Sequence, residues 1–310
     1  MTKNSLWFTC TILAAAGCRT DEGVDTGDDA AGGADALAGA IADAPAGAGD
    51  ALAGGADAPA GAVDALAGGA DALGDGGGDS NGPDAGPQAD WVFTDPFDSL
   101  SAWDFIGEVP EGESFVSIAW LDAFGNVFRG AAKEKVGSVV GKAYVTKNFG
   151  VVAVEGSVVE LLATYLVPTP SPGDGSIYLM DVECRDCGVE TKPGIRILLR
   201  DNRLRVNLSK LCGGDDLGPS TSLVPYDEPF TIRFLLELGD ESSGHTRVYL
   251  DGDLVIEATG VNMPLASAIA ACGETLTAER FTYAQIGFTA NSRATAETLY
   301  ADDVAMRVWQ

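Results

Sequence analysis

The chain has 310 residues, with 46 acidic groups against 19 Lys and Arg, one His, and a formal net charge of −27 at pH 7. That balance excludes a nucleic-acid binder, because phosphate recognition needs a basic surface. The 40 glycines and the charge are spread so unevenly that composition divides the chain into a leader, a tether and one domain.

The leader starts Met1-Thr2-Lys3-Asn4, continues through an apolar run at 6–16 and ends at Gly17-Cys18. This is the order of a charged region, a short apolar region and a small-residue cleavage site. The run is shorter than the ~20 apolar residues a membrane-spanning helix needs, so it is expected to be processed rather than retained. Ala15-Ala16-Gly17-Cys18 resembles the lipobox of bacterial lipoproteins, although Ala15 stands where that family usually has Leu. The resemblance implies cleavage before Cys18 and lipidation of its thiol, with the acyl chains giving a stable membrane anchor. Arg19 follows the cysteine where inner-membrane lipoproteins carry Asp, which implies an outer-membrane or cell-surface address. An ordinary signal peptidase site near Ala16 is the other reading of the same residues.

From residue 20 to residue 90 there is no Lys, Arg or aromatic residue, and fifteen acidic residues stand among Ala and Gly. So little bulky apolar surface cannot offset the entropy of ordering, and disorder is expected. Asp43, Asp50, Asp57, Asp64 and Asp71 recur every seven residues. A coiled coil needs two good apolar positions per heptad, and these units supply at most one, with Pro45 and Pro59 interrupting. The repeat reads instead as a self-repelling spacer with a reach of ~40–50 Å. Asp75 to Asp84 have the oxygen and glycine content of a calcium loop, but no Glu sits at the bidentate offset, and a linker end is the expectation.

Residues 91–310 are enough for one sizeable core. Apolar residues alternate with polar ones over 115–121, 127–131, 143–149, 158–167, 176–183, 195–200, 203–208, 230–238, 247–250, 254–258, 281–289 and 299–308. Period-2 alternation in about a dozen short runs, with Gly, Pro, Asn and Asp between them, predicts an all-β fold: a two-sheet antiparallel jelly-roll sandwich. Asp201-Asn202 and Asp251-Gly252-Asp253 predict tight hairpins, since these residues tolerate positive φ. One short helix is expected at 265–271.

Three segments carry a resemblance. Phe93-Thr94-Asp95-Pro96-Phe97-Asp98 with Trp103 is similar to the first strand of concanavalin A-like, LamG-like jelly rolls. Thr246-Arg247-Val248-Tyr249-Leu250-Asp251-Gly252-Asp253-Leu254-Val255 resembles their signature hairpin, and Leu299-Tyr300-Ala301-Asp302-Asp303-Val304-Ala305-Met306-Arg307-Val308 their closing strand. The resemblance implies the fold, and members bind glycans, cleave them or serve in adhesion, so activity is not implied by it. Pairing of first and last strands in such jelly rolls would bring Asp95 or Asp98 toward Asp302 and Asp303, a possible structural calcium site because clustered carboxylates need a cation or protons.

No familiar catalytic pattern stands out. Retaining glycosidases of this fold carry Glu-x-Asp-x-x-Glu, and Asp181-Val182-Glu183-Cys184-Arg185-Asp186 has another spacing. Asp215-Asp216 and Asp240-Glu241 read as loop acids, and His245 as a surface histidine. Cys184, Cys187, Cys212 and Cys272 read as two disulfides in an exported protein, because a zinc site would need more than one Cys-x-x-Cys or a nearby His. A meander over 176–208 would bring Cys184 and Cys187 to the same end as Cys212, so one of the pair is expected to bond Cys212 and its neighbour Cys272. Alternation places Arg196, Arg200, Arg203 and Arg205 on one face, and guanidinium forks suit carboxylate or sulfate. The function expected is therefore a surface-anchored, non-catalytic domain binding a glycan or a surface protein. The alternatives are a polysaccharide hydrolase or lyase with unfamiliar catalytic residues, and a structural envelope protein without a small ligand.

Overall fold

The structure is a computed structural model that describes residues 90–310 apart from 171–172 and 214–215. The leader, Cys18 and the acidic repeats lie outside the described residues. Fourteen strands follow in order: β1 (Phe93–Asp95), β2 (Phe105–Val109), β3 (Phe115–Leu121), β4 (Gly125–Ala132), β5 (Gly141–Ala153), β6 (Val158–Leu166) and β7 (Ile177–Glu183). Then come β8 (Gly194–Arg200), β9 (Arg203–Asn207), β10 (Pro229–Glu237), β11 (His245–Leu250), β12 (Asp253–Thr259), β13 (Phe281–Asn291) and β14 (Glu297–Trp309). A 3₁₀ turn at Ser209–Leu211 and one helix, α1 (Ala266–Ala271), complete the elements.

Two antiparallel sheets form the expected sandwich. The eight-stranded sheet runs β12-β11-β10-β6-β14-β4-β3, with β1 joining β14, and the six-stranded sheet runs β2-β5-β13-β7-β8-β9. Alternation explains the layering: Val159, Leu161, Ala163 and Tyr165 of β6 face inward, as do Ile195, Ile197 and Leu199 of β8. Phe128, Phe230, Phe234, Phe281 and Phe288 fill the interior, each worth ~1.5–3 kcal/mol on burial. Tyr165 crosses the core to donate its hydroxyl to Leu179 O at 2.8 Å, a polar tie between the two sheets.

The turns form for the reasons their residues give. Asp201 and Asn202 both take positive φ (53° and 58°), as do Asp251 and Gly252 (51° and 89°), so each hairpin closes with the twist its strands require. Phe97 also sits at φ 56°, an unusual place for a bulky side chain. Asp95 holds it there by accepting the Phe97 N–H at 2.7 Å and the Trp103 Nε1–H at 2.5 Å, while the Phe97 and Trp103 rings stack at 5.4 Å.

The disulfide pairing differs from expectation. Cys184 bonds Cys187 and Cys212 bonds Cys272. The 3₁₀ turn ends with Cys212 at φ 55°, which reverses the chain after β9, and its sulfur meets Cys272, the residue that caps the C-terminus of α1, instead of the end of β7.

Candidate functional site

The site grows from the register of the six-stranded sheet. Backbone pairing aligns Phe105, Thr146, Gln285, Asp181, Arg196 and Asn207 in one row across all six strands. Because inward positions hold the core, this row and its i ± 2 neighbours point outward, and Arg196 and Gln285 of the row, with Tyr144 and Glu183 beside it, line a groove of about 290 Å³. Its lining includes Lys142 and Tyr144 from β5, Tyr178 and Glu183 from β7, Arg196 from β8, and Lys210 from the 3₁₀ turn.

Two glycines make the room. A side chain at Gly107 would strike the Tyr144 ring at 2.3 Å, so its absence lets the phenol lie across β2. A Cβ at Gly194 would stand 2.8 Å from Asp181 Oδ1, so the carboxylate owes its place to that glycine.

Asp181 and Glu183, two apart on β7, share the outward face and are each only 1 % exposed. Lys210 Nζ donates to Asp181 Oδ2 at 3.0 Å and to Glu183 Oε2 at 3.3 Å. Gln285 donates to Glu183 Oε1 at 2.6 Å, and Arg185 Nε lies 3.1 Å from the same oxygen. Arg185 thereby folds back over the rings of Phe105 and Tyr283, 5.1 and 5.4 Å from their centroids. Burial raises the Asp181 carboxyl to about 6 and Glu183 pushes the same way, against the pull of Lys210 and Arg196. Their spacing does not match the glycosidase pattern, yet the i, i+2 placement on a strand puts both on one face.

Arg196, Arg200, Arg203 and Arg205 occupy this same face, with Arg200 opposite Arg203 and Leu198 opposite Arg205 in the ladder. Their forks are used differently. Arg203 donates to Ser220 O and Thr221 O, and Arg200 donates to Ser176 Oγ and lies 3.9 Å from Asp216. Arg196 is held by neutral acceptors, Asn207 Oδ1 at 2.8 Å and Ser209 Oγ at 3.2 Å, with its guanidinium 4.3 Å over the Tyr178 ring. Among the described residues five buried side-chain polar atoms have no hydrogen-bond partner, and Thr146 Oγ1, Asp181 Oδ1, Arg205 Nε and Thr289 Oγ1 all belong to this face. Buried polar groups are ordinarily satisfied, at a cost of ~1–3 kcal/mol when they are not, so these atoms make the polar layer beneath this face incompletely paired within the protein.

The other candidates lie apart from the groove. β1 pairs with β14, placing Asp95 opposite Val304 and close to Asp302. Both oxygens of Asp95 accept N–H groups, and Asp302 Oδ1 accepts the Asp303 N–H at 2.8 Å. Burial, with Asp303, Asp95 and Asp98 nearby, raises Asp302 to about 6. Among the described residues the one convergence of three metal-type ligands is Cys184, Asp186 and Cys187, whose two sulfurs are bonded to each other. His245 lies on the eight-stranded sheet, bonded to Thr259 Oγ1. Asp240 is a loop acid whose carboxyl is held down to about 2 by the Ser242 and Ser243 N–H and hydroxyl groups.

The fold and the groove define a jelly-roll sandwich with a polar sheet face open to a ligand. Among solved structures the chain is similar to an endo-β-1,4-glucuronan lyase from the fungus Trichoderma reesei, at 15% identity and TM-score 0.53, covering 70% of this chain and 95% of that one. It also matches the cellulose-induced protein Cip1 (13% identity, TM-score 0.45, 69% and 96% covered) and the alginate lyase Aly36B (11% identity, TM-score 0.41, 66% and 86% covered). No family model matches the chain, and no curated protein matches it in sequence. At these identities the likeness is one of fold. The expectation of a non-catalytic binding domain is corrected: the structure matched at TM-score 0.53 is named as a polysaccharide lyase, and the catalytic alternative replaces that expectation as the reading to test.

Proposed function

We propose that the domain is a polysaccharide lyase that cleaves an acidic, uronate-containing glycan by β-elimination in the groove of the six-stranded sheet. The observation that carries this is Arg196, a guanidinium held by neutral acceptors over Tyr178 in the lining of the groove. Elimination removes the proton on C5, next to the uronate carboxylate, and expels the oxygen on C4, leaving a C4=C5 double bond and consuming no water. The carbon acid is weak until its carboxylate charge is neutralised, which is what a preset cation supplies. Arg196 takes the carboxylate, Lys142 adds positive charge, and Tyr144 and Tyr178, which line the groove, are assigned the proton exchange with C5 and the leaving oxygen. Arg200, Arg203 and Arg205 extend positive charge along β8 and β9 for carboxylates on neighbouring sugars. The similarity to a glucuronan lyase supports polyglucuronate as the first substrate to try.

The same proposal includes the anchor. Cleavage before Cys18, lipidation there and the acidic repeats would hold the lyase at the cell envelope, with reach into surface polysaccharide; the motif at 15–18 and the composition of 20–90 support this reading. Mass spectrometry of the mature N-terminus tests it, with a diacylated Cys18 expected and an unmodified N-terminus contradicting it.

For the activity, the full chain is incubated with polyglucuronate and the products are weighed. Elimination gives fragments whose masses add up to the substrate, whereas hydrolysis adds one water per cut. Water-added products, or no cuts in polyglucuronate, alginate or other polyuronates, would overturn the proposal.

A further inference from the structure

Three charged groups of the groove depend on one short turn. The 3₁₀ turn Ser209–Leu211 supplies Lys210 to Asp181 and Glu183, and Ser209 Oγ to Arg196. Its last link is Cys212, bonded to Cys272 across 60 residues, and both cysteines line the groove. Among the described residues Lys210 is the one hydrogen-bond donor to Asp181, whereas Glu183 is also served by Gln285 and Arg185. The charges facing Asp181 are thus Lys210 from the turn, Glu183 on its own strand and Arg196 from β8. Two buried carboxylates side by side cannot both stay ionised without close cations. Asp181 lies directly opposite Arg196 in the ladder, close enough for the two charges to interact.

We infer that Lys210 is the positioning residue of the groove, keeping Asp181 ionised beneath Arg196, and that the Cys212–Cys272 disulfide holds the turn from which Lys210 reaches. The inference rests on Arg196 working as proposed, but its test does not. Lys210 touches no reacting atom in this scheme and acts through Asp181 and Arg196. The disulfide closes a long loop, so the turn it ends is constrained in a way that a single lysine contact is not.

The test is a carboxyl-carbon NMR titration of Asp181 in the full chain, for the wild type, Lys210→Gln, Lys210→Arg and the double variant Cys212→Ser/Cys272→Ser. Losing the cation should move the Asp181 midpoint upward by about one pH unit or more in Lys210→Gln. Lys210→Arg should restore it, and the double variant should shift it upward as Lys210→Gln does. Where polyglucuronate is cleaved, the acidic limb of the kcat/KM profile should move with the midpoint, through KM more than kcat. An Asp181 midpoint unmoved in Lys210→Gln, or left high by Lys210→Arg, overturns the role of Lys210. A wild-type midpoint in the double variant overturns the role of the disulfide. Absence of cleavage by the wild type would count against the lyase and leave the titration readable.

Discussion

The outer faces of the two sheets carry similar residues and use them differently. On the eight-stranded sheet, Glu160 is 2 % exposed and is bonded by Arg233 and Arg307, each at 2.7 Å. Arg307 lies between Trp91 and Trp309, Arg233 lies over Tyr249, and Arg247 bonds Glu237 and Glu257. The charges there are consumed by partners on neighbouring strands. On the six-stranded sheet the same residue types leave a guanidinium on neutral acceptors, a lysine shared by two carboxylates of which only Glu183 has a further cation, Arg185, bonded to it, and buried polar atoms without a protein partner. Both faces are polar in composition, so composition does not separate a cladding from a site; the completeness of the pairing does.

This contrast can be broken from either side. The largest expected effect is in the groove: Arg196→Ala should lower kcat/KM on polyglucuronate by about 100- to 1,000-fold, with the thermal midpoint little changed. A tenfold smaller loss in steady-state kinetics would move the carboxylate site elsewhere. On the paired face, Glu160→Gln strands two arginines and should cost about 3 kcal/mol in denaturant unfolding, while activity per folded molecule stays at the wild-type level. The two disulfides should differ next. Loop-closure entropy makes loss of Cys212–Cys272, 60 residues apart, more destabilising than loss of Cys184–Cys187, three apart, by roughly 2–3 kcal/mol. Equal losses in chemical denaturation would mean that chain entropy does not set their contribution.

The smallest effect belongs to Asp302, raised to about 6 mainly by its burial. The folded chain keeps this proton above the pH at which the unfolded chain releases it. Its contribution is therefore present below about pH 4 and is lost as pH rises through about 6. Asp302→Asn should stabilise the domain by about 1–2 kcal/mol at pH 7 and flatten stability between pH 4 and 6. If pH 7 stability is unchanged, the burial of that carboxyl is overstated; if added calcium stabilises the wild type but not Asp302→Asn, the acidic cluster is a cation site after all.

Much of the sandwich was legible because alternation is a local signal: Leu161, Ala163 and Tyr165, or Ile195, Ile197 and Leu199, announce their inward face without reference to any partner. β2 was not, since Phe105-Ile106-Gly107-Glu108-Val109 is an edge strand with little inward pattern, and Phe105, Ile106 and Val109 are exposed. The four arginines could be put on one face by the Asp201-Asn202 turn, which fixes the register of β8 on β9. Lys210 meeting Asp181 could not, because it depends on a 3₁₀ reversal whose course is set by Cys272, 60 residues beyond Cys212. The correct disulfides escaped for the same reason: a meander predicts which strand ends are neighbours, whereas Cys212 leaves the meander before it bonds.

Elimination on a uronate chain is proposed for the outer face of the six-stranded sheet. The most direct measurement is ultraviolet absorbance of the full chain acting on polyglucuronate, compared with an uncharged β-1,4-glucan and with Arg196→Ala. The account predicts growth of the unsaturated-uronate band with polyglucuronate alone, strongly reduced in Arg196→Ala. No band with any polyuronate, or an equal band from the variant, would contradict it.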